Sequence, residues 1–216
     1  MATLTEQHSN FYTTHHAKLP ADASATLNSI EVEHSASFDF FQAVKAGDKL
    51  PDFKLRDTFG KNVTRDELLA KGNIILSFYR GEWCPYCNLE LCALEKLLPE
   101  FAAKGTTLVA VSPELHDQAI VTSQKNEVTF PILSGVGNGL ARQLNIVFKQ
   151  PERIKDVWAL RGGVDWQVRY GDESLEVPVT GTLLVDKTGT IRNVHLDPNW
   201  TKRLEPTTVL TWIDGL

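Results

Sequence analysis

Apolar positions along this chain fall into short blocks whose spacing changes from strand-like to helix-like and back. Residues 73–79, Asn-Ile-Ile-Leu-Ser-Phe-Tyr, form a nearly continuous apolar run of the length of a strand buried on both faces. From Pro85 the pattern turns helical. Leu89, Cys92, Ala93, Leu97 and Phe101 recur at helical spacing up to the stop Lys104-Gly105, which predicts one helix with Pro85 at its first position. Residues 106–111 read as a second β-rich strand, 117–126 as a helix, 130–133 as a short strand and 138–144 as a further helical piece. Upstream, 53–56 and 62–64 flank the turn Asp57-Thr58-Phe59-Gly60-Lys61 as a hairpin, and Thr64-Arg65-Asp66-Glu67 spells a capping box that opens a helix to Lys71. Downstream, 182–186 and 191–196 make another hairpin around Lys187-Thr188-Gly189, and 206–213 closes the chain as a helix. Strand and helix alternate, so an α/β domain with a parallel core and right-handed crossovers is expected.

Two stretches depart from this alternation. Residues 1–45 are polar and dotted with His8, His15, His16 and His34, with weak helical spacing over 25–30 and 38–44. They are expected to form a partly helical N-terminal extension, with His15-His16 a solvated pair rather than metal ligands. Residues 148–178, which contain Trp158, Gly162-Gly163, Trp166 and Tyr170, are the least regular part and read as an excursion with its own aromatic contacts. The expected organisation is therefore an extension over 1–45 and one domain over 46–216, with the insertion at 148–178.

Composition narrows the function classes. At 216 residues and 42% apolar, the chain is long enough to bury one good core. A net charge of −5, a pI near 5.7 and the lack of basic runs give no reason to propose nucleic acid or an anionic membrane as partner. No run of about 18 apolar residues exists to span a bilayer. The first residues lack the basic start and apolar core of a signal peptide and carry acids that a transit peptide avoids, so a cytoplasmic protein is expected.

The candidate chemistry sits in one place. All three cysteines, Cys84, Cys87 and Cys92, fall within residues 84–92, directly after the apolar strand and at the start of a helix. A thiol is nucleophilic only as thiolate, and a partly exposed electropositive spot such as a helix N-terminus lowers its pKa. Free cysteines are often just small buried hydrophobes, and Cys92, on the apolar stripe of the helix, fits that reading as well as a redox one. Cys84-Pro85-Tyr86-Cys87 at a strand-to-helix turn does not, because C-x-x-C in a βαβ setting is the redox spelling. Structural zinc usually takes four ligands in two spaced pairs, whereas C-x2-C-x4-C supplies three thiolates and no evident fourth. No metal or cofactor is expected.

Three segments in order, 47–55 (Gly-Asp-Lys-Leu-Pro-Asp-Phe-Lys-Leu), 78–87 (Phe-Tyr-Arg-Gly-Glu-Trp-Cys-Pro-Tyr-Cys) and 183–189 (Leu-Leu-Val-Asp-Lys-Thr-Gly), resemble the alkyl hydroperoxide reductase/thiol-specific antioxidant (AhpC/TSA) branch of the thioredoxin superfamily, the peroxiredoxin-like proteins. The resemblance covers residues 45–214. It implies a thioredoxin-like fold, a central mixed β-sheet flanked by helices, with an N-terminal hairpin and an insertion. It further implies an oxidoreductase, a thiol-dependent peroxidase that reduces hydrogen peroxide or organic hydroperoxides through a cysteine sulfenic acid and an intramolecular disulfide. An external thiol reductant such as thioredoxin or glutathione would reopen that disulfide, and a homodimer is left open.

Peroxiredoxins typically read Phe-Tyr-Pro and then Thr-x-x-Cys, and the count from Tyr79 lands the attacking cysteine on Cys87. A thioredoxin-like reading makes the more exposed Cys84 attack instead. Cys92 is spaced from Cys87 like the resolving cysteine of Q-type peroxiredoxins, so Cys87 has two candidate resolving partners, Cys84 and Cys92. A disulfide between Cys84 and Cys87 is geometrically easy at a helix start, whereas Cys87 and Cys92 lie on different faces of an intact helix. The sequence departs from the family pattern at Arg80, which stands for the proline, at Cys84, which stands for the threonine, and at Thr180, which stands for an arginine and for the cis-proline of thioredoxins, with Pro178 two residues early. A peroxide-binding guanidinium must then come from Arg80, or as second choice from Arg203. Arg80 is expected to lower the pKa of the attacking thiol, the bland alternative being a surface ion pair with Glu82. Two rival functions stand beside the peroxidase: a general thiol-disulfide oxidoreductase of thioredoxin or glutaredoxin type using Cys84 and Cys87, and a non-catalytic redox-fold adaptor that binds through the aromatic insertion.

Overall fold

The computed structural model describes residues 2–160 and 162–216. Its centre is strand β3 (Asn73–Phe78), the apolar run that precedes the cysteines. Successive side chains of a strand point to opposite faces, and here both faces are covered. Ile74, Leu76 and Phe78 join one apolar cluster, while Ile75 and Tyr79 join the other. That two-sided burial explains why the segment reads as a continuous apolar run.

Around β3 a seven-stranded mixed sheet is built in the order β2-β1-β5-β4-β3-β8-β9. Strand β1 is Lys54–Asp57, β2 is Asn62–Thr64, β4 is Thr106–Ser112, β5 is Ile132–Ser134, β8 is Gly181–Val185 and β9 is Ile191–Leu196. β3, β4 and β5 run parallel, as the alternation of strand and helix requires, and β8 closes on β3 antiparallel with Phe78 opposite Gly181. Both expected hairpins form, β1 with β2 and β8 with β9. The capping box is present at helix α3 (Arg65–Leu69), where Thr64 and Glu67 satisfy each other's backbone N–H.

Three expectations are corrected. The helix from Pro85 is not continuous: α4 (Pro85–Lys96) ends at Leu97, and α5 (Leu98–Ala103) starts afresh. Pro99 explains the break, because it has no N–H to donate and its ring clashes with the carbonyl four residues back. Residues 38–44 are not helical; the N-terminal extension holds α1 (Leu4–His16) and α2 (Ala21–Ser37) instead. After α2 the chain turns on Asp39, whose carboxylate accepts from the N–H groups of Phe41 and Gln42. Neither His15 nor His16 is freely solvated; both are half-buried, His16 being stacked on Tyr12 and bonded to Ser24.

Helix α6 (His116–Lys125) links β4 to β5, α7 (Gly139–Gln143) follows β5, and α10 (Pro206–Asp214) ends the chain. The irregular excursion is framed by a separate two-stranded ribbon of β6 (Val147–Lys149) and β7 (Glu176–Pro178). Within it, α8 (Ile154–Ala159) and α9 (Trp166–Tyr170) stack Trp158 on Trp166, with ring centres 5.0 Å apart. Among the described residues no helix is long and apolar enough to cross a membrane.

Candidate active site

β3 delivers its last residues straight into the cysteine turn, and α4 takes over at Pro85, where a missing N–H costs nothing because the first turn has no intrahelical acceptors for its donors. Cys84 is the N-cap residue and Cys87 lies in the first turn; the first helical bond is from Asn88 N–H to the Cys84 carbonyl. This geometry brings the two sulfurs together. The Cys87 thiol donates to Cys84 Sγ over 2.8 Å.

Each sulfur has its own guanidinium. Arg80 Nη2 donates to Cys84 Sγ at 3.2 Å, and Arg203 Nη2 donates to Cys87 Sγ at 3.6 Å. Arg80 is 5% exposed and lies between two indoles, Trp83 at 5.0 Å and Trp200 at 5.1 Å from ring centre to Cζ. Its Nε has no partner among the described residues. The expected alternative, a surface pair between Arg80 and Glu82, is not formed, because Glu82 pairs with Lys125 and Arg169. Arg203 is held by Glu90, one helical turn after Cys87, through Nε to Oε2 at 2.7 Å, and its Nη1 donates to the carbonyls of Trp200 and Lys202.

These contacts decide where the charge rests. Burial alone would raise the Cys84 pKa, but the hydrogen bond from Cys87 and the guanidinium groups of Arg80 and Arg203 outweigh it and hold Cys84 well below the ordinary thiol range. Burial pushes Cys87 well above that range, and its position as donor to Cys84 adds to the rise. The surroundings thus favour the thiolate on Cys84 and the thiol on Cys87. Burial opposes the charge of Arg203, yet Glu90 and the two sulfurs raise its pKa further.

The expectation that Cys84 is the more exposed sulfur does not hold, since neither Cys84 nor Cys87 has surface open to solvent. Cys92, the third candidate, is not part of the cluster. It is half-buried on α4 and faces Asn126 at the end of α6, with Sγ 3.6 Å from the Asn126 carbonyl. Thr180 follows β7 and lies where β8 begins, buried, its hydroxyl without a partner among the described residues.

The insertion braces the turn from the other side. Trp83 Nε1 donates to the Tyr170 hydroxyl, which donates to the Arg80 carbonyl at 2.9 Å. Buried Glu114 accepts from the Glu82 N–H and from Arg169 Nη1, each at 3.1 Å. Burial pushes Glu114 up to about 7 despite these donors. Gly81 is pressed against this wall: a Cβ there would come within 2.7 Å of Trp83 Nε1 and of the Tyr170 hydroxyl.

Sequence reasoning singled out Cys84, Cys87 and Arg80 and held Arg203 in second place. It missed Glu90, whose place one turn beyond Cys87 on the same helix was a readable signal. It also missed Trp200, Tyr170 and Glu114, which arrive from distant segments and carry no local signature.

Residues 46–194 match the model of the AhpC/TSA family. The chain is similar to a chloroplastic peroxiredoxin Q of Gentiana triflora, 26% identical over 52% of this chain and 52% of that protein, so it spans about half the gentian protein's length. It is also similar to the thiol-disulfide oxidoreductase ResA of Halalkalibacterium halodurans, 29% identical over 70% of this chain and 68% of that one. Among solved structures, the peroxidoxin BcpB of Mycobacterium tuberculosis superposes with a TM-score of 0.62 at 20% identity, covering 80% of this chain and 98% of that chain. That likeness establishes the thioredoxin-like peroxiredoxin fold.

Proposed function

The chain belongs to the AhpC/TSA family, and from that premise we propose that it is a thiol-dependent peroxidase in which Cys87 attacks the peroxide and Cys84 serves first as its base and then as its resolving partner. The observation that carries this reading is the sulfur pair at 2.8 Å with one guanidinium on each member. Cys87, at the family's attacking position, is protonated at rest, so it needs a base. The Cys84 thiolate already accepts its hydrogen bond.

The steps balance. Cys84 takes the proton of Cys87, and the Cys87 thiolate attacks the nearer peroxide oxygen in line with the O–O bond, giving a sulfenic acid and an alkoxide or hydroxide. Arg203, aimed at Cys87 Sγ, offers N–H donors to the oxygens as charge develops. The leaving oxygen takes the proton from Cys84. The regenerated Cys84 thiolate then attacks the Cys87 sulfenic sulfur, forming the disulfide and releasing hydroxide, which solvent protonates. This oxidative half consumes one peroxide and one solvent proton and yields the disulfide, one water and an alcohol, or a second water when the peroxide is hydrogen peroxide. Two external thiols of thioredoxin or glutathione type reopen the disulfide by exchange, leaving as their own disulfide and returning the proton. The cluster is built from one chain, so chemistry does not require a homodimer. Three cysteines clustered in sequence, rather than an even scattered set, suit a reducing compartment such as the cytoplasm.

The test is stopped-flow oxidation of the reduced protein by hydrogen peroxide, with sulfenic acid trapped in a Cys84→Ser, Cys92→Ser background. Label on Cys87 is expected, formed more slowly than in the protein that keeps Cys84 as base. Label on Cys84 in a Cys87→Ser, Cys92→Ser protein, with none on Cys87 in any background, would transfer the attack to Cys84. The match to ResA supports a second reading, a general thiol-disulfide oxidoreductase. Reduction of insulin or of glutathione mixed disulfides faster than reduction of peroxide would favour it.

A further inference from the structure

Helices α1 and α2 precede the part of the chain that matches the family, yet they pack as a cover against the apolar cluster that holds its reactive centre. Ile30 of α2, wholly buried, belongs to the same apolar cluster as Cys84, Cys87, Tyr86 and Trp200, and Phe11 of α1 is set against that cluster. Phe11 meets the Tyr86 ring edge-on at 5.2 Å. Hydrogen peroxide is larger than a water molecule, and neither sulfur has any surface that water reaches. No peroxide meets Cys87 unless part of the packing around it, of which the two helices are one cover, moves.

Among the described residues this cover is fastened by the ion pair of Glu33 on α2 with Arg153 and by a few bonds of α1. The N–H groups of Leu4 and Thr5 donate to the Glu205 carboxylate at 3.1 and 2.6 Å. The His8 ring lies between two carbonyls, Nδ1 3.0 Å from Thr201 O and Nε2 3.1 Å from Tyr86 O, and Tyr86 is the residue between the two cysteines' helix start and Cys87. Both partners accept only, whereas a neutral imidazole carries one N–H. Burial and the Arg203 cation lower the His8 pKa against the pull of the two carbonyls, so one of the two contacts sets a lone pair against a carbonyl. The latch is half made. Beside it a cavity of about 480 Å³, lined by His8, Tyr12, His195, Lys202 and Arg203, leaves α1 room to shift. Arg203, at the inner end of that space, touches Cys87 Sγ.

We propose that the α1–α2 hairpin, latched by His8, is the element that sets the size of reactant admitted to the thiols: a small displacement admits hydrogen peroxide, and bulky hydroperoxides or protein disulfides need the latch released. The peroxide arm rests on the proposed function, and the thiol-labelling arm does not. The observed rate with a bulky reactant scales with the fraction of molecules that are open. Loss of a hydrogen bond of ordinary net strength raises that fraction about fivefold.

The experiment uses the full-length reduced protein and the variants His8→Ala and Glu205→Gln. Reduction rates are measured with hydrogen peroxide and with cumene hydroperoxide, and alkylation rates, in a Cys92→Ser background so that only the covered thiols are read, with iodoacetamide and with a bulky aromatic maleimide. The expected result is a rise of about fivefold in both bulky-to-small ratios for each variant that folds. Ratios unchanged from wild type in both variants, or in Glu205→Gln if His8→Ala does not fold, overturn the proposal. A protein inert to peroxide whose maleimide-to-iodoacetamide ratio still rises loses the peroxidase reading and keeps the cover. An unchanged labelling ratio with intact peroxidase activity does the reverse.

Discussion

Two guanidinium groups and two sulfurs share one dry pocket, and at the scale of single residues the two arginines have separable duties. Arg80 donates to Cys84, the sulfur that holds the resting charge, so Arg80→Met should raise the Cys84 pKa, by about one to three units on the usual effect of a cation at contact distance. Thiolate absorbance followed against pH reads this directly. Arg203 donates to Cys87, where the peroxide would sit, and its loss should slow peroxide reduction about a hundredfold, the usual consequence of removing one donor from a developing oxyanion. Because Arg203→Met alone would strand buried Glu90, the kinetics belong in the double variant with Glu90→Gln. Equal slowing by Arg80→Met and little by the double variant would reverse these duties. The cysteines and Arg80 were legible in the sequence because they are adjacent in it. The charge on Cys84 was not, because it depends on the folded turn setting the Cys87 thiol and Arg80 against its sulfur, with Arg203, 119 positions away, adding to them.

At the scale of elements, the start of α4 decides which disulfide forms. Cys84 and Cys87 are three apart at a helix start with sulfurs 2.8 Å apart, so closing to a bond of about 2.05 Å needs little more than side-chain rotation. Cys92 points instead to Asn126, and pairing it with Cys87 would require α4 to unwind. Peptide mapping of the peroxide-oxidised protein should therefore recover Cys84 linked to Cys87, with far-ultraviolet circular dichroism nearly unchanged. A dominant Cys87–Cys92 linkage with loss of helical signal would contradict this. Helix starts were well marked in the sequence, by Pro85, by the Thr64 capping box and by Pro206, since caps are local chemistry. Where patterns were weak the structure went elsewhere: apolar spacing ran through Pro99, which backbone chemistry forbids, and the spacing over 38–44 gave way to the turn at Asp39.

Across the whole molecule, stability and the site meet at Glu114. Its raised pKa means that the folded state keeps a proton that the unfolded chain releases in the ordinary carboxylate range. Between about pH 4.5 and 7 the folded protein thus binds more protons there, and this group's contribution falls as pH rises, levelling off above 7. Glu114→Gln should flatten that part of the melting-temperature profile relative to wild type; an unaltered slope would show that Glu114 titrates normally. For Arg169→Met the same linkage predicts a greater loss of stability at pH 8, where Glu114 is ionised and lacks its partner, than at pH 6. The thioredoxin-like layout was legible from three short segments in order. The joining of the insertion to the cysteine turn through Glu82, Arg169, Glu114 and Tyr170 was not, because it is written in pairs between 32 and 90 positions apart.

The indoles that enclose Arg80 have an optical consequence. Four of the five tryptophans, Trp83, Trp158, Trp166 and Trp200, lie around the cysteine turn, and Trp83 and Trp200 flank the cation bound to Cys84. A disulfide at Cys84 removes the thiolate from this nest and frees the guanidinium between the rings. Emission from the unlabelled protein should accordingly dim as the pair oxidises, because a disulfide accepts an electron from an excited indole beside it, and recover as the pair is reduced, so that each turnover reports itself in the light the protein emits.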